Sequence, residues 1–241
     1  MQIIGKTDVG IVRESNQDTF FYDNLSETAF FAVVCDGMGG ANAGNIASEC
    51  AVRTISDYLK RSYKSGMTTN QIENILRCAV VTANSAIFKM SIKDENLKGM
   101  GTTVVLLLVE GNMGYVLHVG DSRLYTYTSE NLSQITVDHS IVQNMIDSGK
   151  ITPNEAKNHP SKNIITRALG VNEDVSADLD FINVVSGDII LLCSDGLTNY
   201  VSEEEIAVIL STFDESVANR LVDKANFSGG GDNITAVAIK I

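Results

Sequence analysis

The chain has 241 residues, of which 44% are hydrophobic and 20% are charged, and its formal net charge is −12 from 30 acidic and 18 basic side chains. This composition is typical of a soluble globular protein with a large core, and it argues against long disorder. The acidic excess argues against a nucleic-acid partner and against a polybasic membrane surface, because both interactions need a cationic face.

Short apolar runs rich in β-branched and aromatic residues predict strands along the chain. In chain order they are Ala29–Cys35, Thr102–Val109, Gly114–Val119, Arg123–Tyr127, Ile189–Cys193 and Ile234–Ile241. The second and third runs are separated by Glu110-Gly111-Asn112. Such a short turn predicts a hairpin, and with it a largely antiparallel sheet.

Helical periodicity predicts two long helices, over Asn45–Ser62 and Thr69–Ser91. Near the C-terminus, Ser202 with Glu205 forms a capping box that opens a helix through Ile206–Leu210, and a further helix is predicted over Asp214–Ala225. The elements therefore run strands, two helices, strands, two helices, last strand. This order favours packed sheets with helices layered outside, and it disfavours a strictly alternating βαβ fold.

Nothing in the sequence divides the chain, so we expect a single domain over 1–241. The two prolines, Pro153 and Pro160, lie in one segment, and no Pro-rich or Gly/Ser-rich linker occurs. The four cysteines form no C-x-x-C pair, which favours reduced thiols over disulfides or a zinc site. The N-terminus lacks a signal-peptide pattern, and no apolar run is long enough to span a membrane. We therefore expect a soluble cytoplasmic protein.

Four aspartates stand beside predicted strands, each in a tight segment. Asp36, Asp121 and Asp195 follow an apolar run, and Asp232 precedes the last one. Each Asp-Gly pair is by itself a common turn motif. If the strand ends meet, however, the carboxylates converge, and like charges at short range need cations to compensate them. Hard divalent ions such as Mg²⁺ or Mn²⁺ prefer these oxygen ligands.

A second polar segment, Arg13-Glu14-Ser15-Asn16-Gln17-Asp18, precedes the first long predicted strand. Arginine presents a planar fork that matches the oxygens of a phosphate group. A single arginine in a polar loop is usually just solvated, so Arg13 indicates phosphate binding only in combination with a metal site.

Six motifs occur together in a characteristic order: Arg13 with Asn16-Gln17-Asp18, Asp36-Gly37-Met38-Gly39-Gly40, Gly101-Thr102-Thr103, Val119-Gly120-Asp121-Ser122-Arg123, Ser194-Asp195-Gly196-Leu197 and Gly231-Asp232-Asn233-Ile234-Thr235. In this the chain resembles the metal-dependent serine/threonine protein phosphatases of the PPM (PP2C-type) family, most of all its compact bacterial members. Each motif alone is weak, but six in order are specific. The resemblance covers nearly the whole chain.

The resemblance implies an α+β fold, an αββα sandwich of two packed, mostly antiparallel sheets flanked by pairs of helices. It implies two core ions, Mn²⁺ or Mg²⁺, and possible occupancy of a third site. Asp36 would bridge the core ions, with the Gly37 carbonyl on one and Asp195 and Asp232 on the other. Asp121 would hold the third ion with Asp195.

The remaining site residues are also implied by the resemblance. Arg13 would bind the substrate phosphate, Asp18 would hydrogen-bond a metal-bound water, and Asn233 would orient water or phosphate. Asp18, Asp36 and Asn233 are thus the expected catalytic residues. A metal-bound hydroxide would attack phosphoserine or phosphothreonine in line, without a phosphoenzyme. The absence of a C-x₅-R loop around any cysteine disfavours a thiolate phosphatase.

Expected partners are phosphorylated proteins and a cognate serine/threonine kinase, with the phosphatase acting as a monomer. The chain departs from some family members at Met38, where some animal members carry histidine, and at Ala41, where many bacterial members do. The segment at about 139–167 would be a flap beside the active site, although a surface helix pair would have the same pattern. Two other functions stay open: a catalytically inactive binding module, and a phosphatase of anti-sigma-factor antagonists.

Overall fold

Two antiparallel sheets form the centre of the protein in a computed structural model that describes residues 1–40, 43–129 and 131–241. One sheet has the strand order β1-β11-β10-β7-β8, and the other has the order β2-β3-β5-β6-β9 with the short β4 paired to β3. The strands are β1 Gln2–Asp8, β2 Asp18–Asn24, β3 Ala29–Met38, β4 Gly101–Thr102, β5 Val104–Glu110, β6 Met113–Val119, β7 Arg123–Thr128, β8 Asn131–Gln134, β9 Asp178–Asn183, β10 Ile189–Cys193 and β11 Ile234–Lys240.

Helices cover the outer face of each sheet. In chain order, the helices of the described residues are α1 Ala43–Ser62, α2 Thr69–Lys93, α3 Ile141–Asp147, α4 Pro153–Ala156, α5 Asp195–Thr198, α6 Glu203–Ser211 and α7 Val217–Phe227. The α1 and α2 pair packs on the β2 to β9 sheet, and α6 and α7 pack on the other sheet. The predicted sandwich of two antiparallel sheets between helix pairs is confirmed.

Burial on both faces explains why the central strands read as continuous apolar runs. Along β3, Phe31 and Val33 face the α1 and α2 layer, whereas Phe30 and Val34 face the second sheet. Side chains from both sheets, such as Leu192 of β10, form the core between them. A strand enclosed in this way needs no polar positions, so period-two alternation disappears.

The α2 helix is long and apolar enough to cross a membrane by length and composition alone. Its apolar positions, including Ile72, Leu76, Ala79, Ala83 and Ile87, are buried against α1 and the neighbouring sheet. The buried stripe recurs with helical spacing, which is the pattern of a core helix in a globular protein.

The segment 139–167 lies between β8 and β9 outside the two sheets, and its two ends are joined to each other. Ser140 pairs with Ile165 in an isolated β-bridge, and the Thr166 N–H donates to the His139 carbonyl at 2.7 Å. Between these tied ends lie α3 and α4. The Thr152 side chain and Glu155 form the capping box of α4, with Pro153 at its first position.

Candidate active site

The predicted carboxylates meet at one end of the two sheets. Asp18 and Asp36 are cross-strand partners at the start of β2 and near the end of β3. Asp195 begins α5 directly after β10, and Asp232 lies two residues before β11. Asp121 follows β6. All four of the other carboxylates act on Asp36 through their charges, so the folding of distant segments gathers the acidic residues that the sequence singles out.

Burial and mutual repulsion shift these groups toward their protonated forms. Burial is the main cause that raises the pKa of Asp18 to about 7, although hydroxyl donors oppose it. Burial and the charge of Asp232 raise the pKa of Asp195 to about 6. Burial and the charge of Asp195 raise the pKa of Asp121 to about 8. The pKa of Asp36 is also raised well above its ordinary value, first by burial and then by the surrounding carboxylates. Arg13 pairs with Asp232 and the charge of Arg123 lowers the pKa of Asp121, yet the pKa values stay raised, so additional positive charge would stabilise the ionised cluster.

Unpartnered oxygens show that the cluster suits a hard cation. Oδ1 of Asp18 and Oδ1 of Asp195 are buried and have no hydrogen-bond donor among the described residues. Buried carboxylate oxygens normally accept hydrogen bonds, and an orphaned one needs an explanation. Oxygen-rich carboxylate clusters are the preferred ligands of Mg²⁺ and Mn²⁺, so the residues present fit such ions.

Two hydroxyl groups, which the sequence motifs did not identify as functional, hold the Asp18 carboxylate in place. Its Oδ2 accepts from Ser194 Oγ at 2.6 Å and from Thr235 Oγ1 at 2.7 Å. The Thr235 N–H in turn donates to Ser194 Oγ at 2.9 Å. These contacts leave the other oxygen, Oδ1, without a partner within the described part of the chain. Both hydroxyl residues lie inside the sequence motifs around Asp195 and Asp232, which is the signal that could have identified them.

Close backbone packing brings the strand ends together at two glycines. A Cβ on Gly37 would clash with the carbonyl oxygen of Gly44, and a Cβ on Gly196 would clash with that of Asn233. Only glycine fits at either position. Asp36 is held at the same place, because its N–H donates to Thr103 Oγ1 at 2.9 Å.

Arg13 lies at the rim of the carboxylate cluster. Its Nη2 donates to Asp232 Oδ2 at 2.8 Å, and 53% of its side chain is exposed. A half-exposed guanidinium at the edge of the site is placed to reach an anionic group that approaches from solvent.

Asn233 is buried, and its side-chain amide is fully engaged by backbone groups. Nδ2 donates to the carbonyls of Val9 and Ser15, both at 3.0 Å, and Oδ1 accepts from the Gln17 N–H at 2.8 Å. Asn233 thus ties down the loop between β1 and β2 that carries Arg13. The sequence expectation that it orients water or phosphate stays a prediction, and its contacts favour a positioning role.

Of the two departures from the family pattern, only Met38 lies among the described residues. Met38 pairs with Gly101 at the end of β3. Ala41 lies outside the described residues.

A second cluster of possible ligands contains none of the predicted metal ligands. His118, His139 and Asp178 place ligand atoms within 4.8 Å of one another. The two rings stack with centroids 4.6 Å apart and planes at 19°, and Arg167 Nη1 donates to Asp178 Oδ1 at 2.8 Å. A metal ion lies in the plane of each imidazole that binds it, and stacked rings do not share such a point. Asp178 already forms an ion pair with the Arg167 guanidinium, so we interpret this cluster as a packed ion-pair network and not as a metal site.

Comparisons with known proteins agree with this architecture. The sequence profile of the family described as protein phosphatase 2C matches residues 11–226. The chain is 39% identical over 238 residues to a serine/threonine phosphatase stp of Listeria monocytogenes, covering 98% of this chain and 94% of that protein.

Solved structures agree as well. The Streptococcus agalactiae serine/threonine phosphatase superposes with a TM-score of 0.92 at 34% identity, covering 100% of this chain and 99% of that one. The catalytic domain of the phosphatase PstP, solved in complex with two manganese ions, gives 0.85 at 34% identity, covering 98% and 96%. On the strength of the sequence profile, the relatives and the shared sandwich fold, this chain belongs to the protein phosphatase 2C family.

Proposed function

We propose that this protein hydrolyses phosphoserine and phosphothreonine in proteins with the help of divalent metal ions. The observation that carries the proposal is the cluster of raised-pKa carboxylates with two orphaned buried oxygens, on Asp18 and Asp195, in a member of this family. The proposal joins this chemistry to the activity named for the relatives in Listeria and Streptococcus.

In this proposal the cluster holds two core ions, with Mn²⁺ favoured by the manganese complex of PstP. Asp36, the Gly37 carbonyl, Asp195 and Asp232 are the core ligands. Asp121 and Asp195 form a third, weaker site. Bound divalent ions supply Lewis acidity, which makes water a better nucleophile near neutral pH and compensates charge on the phosphoryl group.

The chain's own residues position the reacting groups. The Arg13 guanidinium binds two oxygens of the incoming phosphate in its planar fork. Asp18, held through Oδ2 by Ser194 and Thr235, directs Oδ1 toward the attacking water and accepts a hydrogen bond from it. Asn233 keeps the Arg13 loop in place. Water attacks phosphorus in line with the departing seryl or threonyl oxygen, the P–O bond to that oxygen breaks, and the proton that the water gives up is balanced by protonation of the leaving oxygen, so the products are the free hydroxyl and inorganic phosphate.

The proposed cellular setting follows from the same chemistry. The substrates are phosphoproteins made by a serine/threonine kinase that this enzyme opposes, and the enzyme acts as a monomer.

A cytoplasmic location is supported by four free cysteines, of which Cys35, Cys50 and Cys193 are buried. We also propose that the whole chain is one catalytic domain and that 139–167 is a flap beside the site, because the His139 N–H at its start donates to the carbonyl of Gly120, the residue next to Asp121, at 2.9 Å.

Chelation is the first test of the proposal. Treatment with EDTA followed by desalting should abolish hydrolysis of p-nitrophenyl phosphate and of a phosphothreonine peptide, and added Mn²⁺ should restore both, because the carboxylates alone cannot activate water. Release of phosphate is the measurement. Activity that survives chelation would reject the metal-dependent mechanism.

Replacing Arg13 by lysine should raise KM for p-nitrophenyl phosphate by roughly 10- to 100-fold while affecting Mn²⁺ affinity little. Lysine keeps the charge but loses the two-pronged contact with phosphate. Initial rates over a range of substrate concentrations test this, with Arg61→Lys at the exposed C-terminal end of α1 as the matched control. An unchanged KM in the Arg13 variant would remove Arg13 from phosphate binding.

A further inference from the structure

The outer edge of strand β2 carries backbone groups that no described part of the chain covers. β2 is the last strand of its sheet, with β3 on one side and no described strand on the other. It starts at Asp18, inside the candidate active site, and runs away from it to Asn24. The free edge therefore begins where the proposed chemistry takes place.

The hydrogen-bond register shows which residues face outward. The Gly37 N–H donates to the Gln17 carbonyl at 3.0 Å and the Leu25 N–H donates to the Ala29 carbonyl at 2.8 Å. In an antiparallel pair, alternate residues direct both backbone groups to the neighbouring strand. Odd-numbered residues of this segment therefore face β3, and even-numbered residues face away from it.

The ends of the outward-facing row are already satisfied by side chains. The Asp18 N–H donates to Asn16 Oδ1 at 3.1 Å, and the Asn24 N–H donates to Asp23 Oδ1 at 2.9 Å. Between them, the N–H and carbonyl groups of Phe20 and Tyr22 lack a protein partner within the described residues. These four groups match the pattern that one more strand would satisfy.

The charges of β2 lie toward its ends and leave its centre uncharged. Natural edge strands usually carry charges or proline, or are very short. β2 carries Asp18 at its start and, near its end, Asp23, which pairs with Lys60 of α1 at 2.6 Å. The stretch Phe20-Phe21-Tyr22 between them has no charge of its own. This aromatic centre, with its free backbone groups, is the part of the edge where another polypeptide can pair.

A groove beside this edge could receive side chains of an added strand. A cavity of about 520 Å³ is lined by Thr19 and Phe21 of β2 and, on the helix side, by apolar residues together with polar and charged ones: Ile46, Cys50, Val52 and Met90, and Glu49, Arg53, Ser56, Asp57 and Lys60. Alternate side chains of an added strand would point toward the helix layer, as Thr19 and Phe21 do. Backbone pairing would then supply affinity and the groove would supply side-chain preference.

We propose that the free edge of β2 binds the substrate polypeptide as an additional strand, an inference that rests on the phosphatase function proposed above. The register argues for the substrate as the occupant. Phe20 and Tyr22 lie about 7 and 13 Å along the strand from Asp18, at about 3.3 Å per residue. A chain whose phosphorylated residue occupies the site would therefore pass these groups two to four residues away.

Tyr22→Pro tests the backbone contact directly. It removes an outward N–H without breaking the β2 to β3 ladder, since proline is tolerated where the N–H faces solvent. Tyr22→Ala is the matched control, because it removes the same side chain and keeps the N–H. We expect kcat/KM for a phosphothreonine peptide of about twelve residues to be about three- to tenfold lower for the proline variant than for the alanine variant. kcat/KM for p-nitrophenyl phosphate should be equal in both.

The outcomes separate this inference from the proposed function. Equal peptide kinetics in the two variants would overturn strand addition, whereas loss of p-nitrophenyl phosphate hydrolysis in the wild type would reject the phosphatase itself. A wild-type dimer in size-exclusion chromatography that Tyr22→Pro dissociates would assign the edge to a second copy and also overturn the proposal.

A complementary experiment needs only the wild-type protein, so it remains informative if the proline variant fails to fold. The peptide is N-methylated at successive single positions flanking the phosphothreonine. Strand addition predicts that KM rises for alternate positions on one flank and stays constant for the positions between them. A uniform response along the flank would contradict it.

Discussion

Asp36→Asn is expected to lower kcat for p-nitrophenyl phosphate on the order of a thousandfold, the range seen when a principal electrostatic contact in a catalytic site is lost. Asp36 is the residue on which all the other carboxylates of the cluster act, and burial with their charges raises its pKa well above the ordinary value. Asparagine keeps the shape of the side chain and its place opposite Asp18 in the β2 to β3 ladder. The substitution therefore removes the charge needed to hold two ions and leaves the fold intact.

The change is best measured as two separate quantities. Titration calorimetry of Mn²⁺ onto the metal-free protein should show loss of binding stoichiometry, and steady-state kinetics should show the loss of turnover at any Mn²⁺ concentration. Asp223→Asn on the exposed face of α7 is the control, because it makes the same chemical change far from the cluster. Near-normal turnover at high Mn²⁺ in Asp36→Asn would show that this carboxylate does not bridge the ions.

The strands that the sequence predicts are the central ones, and the strands it misses are the edges. β3, β5, β6, β7, β10 and β11 read as apolar runs, whereas β1, β2, β8 and β9 do not. An edge strand is exposed on one side, so a segment such as Asp178–Asn183 mixes charges with apolar residues and lacks a clear signal. Periodicity reports burial, and burial is weakest at the edge of a sheet.

The site was predictable to the level of its acidic residues and no further. Asp36, Asp195 and Asp232 stand out because each adjoins a strand end in a glycine-containing motif. The hydroxyls of Ser194 and Thr235 look like ordinary strand-end residues until the fold places both on Oδ2 of Asp18. In the same way, the sequence suggests a catalytic amide at Asn233, and only the three-dimensional contacts show that the backbone occupies it. Hydrogen bonds between distant segments leave no local pattern.

The metal-free protein is expected to lose stability as pH rises from 5 to 8. Folding raises the pKa values of Asp195 to about 6, Asp18 to about 7 and Asp121 to about 8, all from an ordinary value of 3.8. Between pH 3.8 and these raised pKa values, the folded state binds more protons than the unfolded state, so proton binding stabilises the fold. This stabilisation is complete below pH 3.8 and is lost as the pH rises through the folded-state pKa values. His139, whose pKa is lowered by burial, acts in the opposite direction but is a single group.

Thermal unfolding of the chelated protein should therefore show a Tm at least about 5 °C lower at pH 8 than at pH 5, as a combined shift of several pKa units implies for a chain of this size. Excess Mn²⁺ should reverse the trend, since metal ions bind the deprotonated carboxylates and so replace the missing protons with positive charge. Asp36→Asn should flatten the pH dependence of the metal-free protein and raise its Tm at pH 8, because one repelling charge is gone from the centre of the cluster. A metal-free Tm that rises steadily from pH 5 to pH 8 in the wild type would mean that the carboxylates do not repel one another in the folded protein, and the physical basis for a cation site would fail with it.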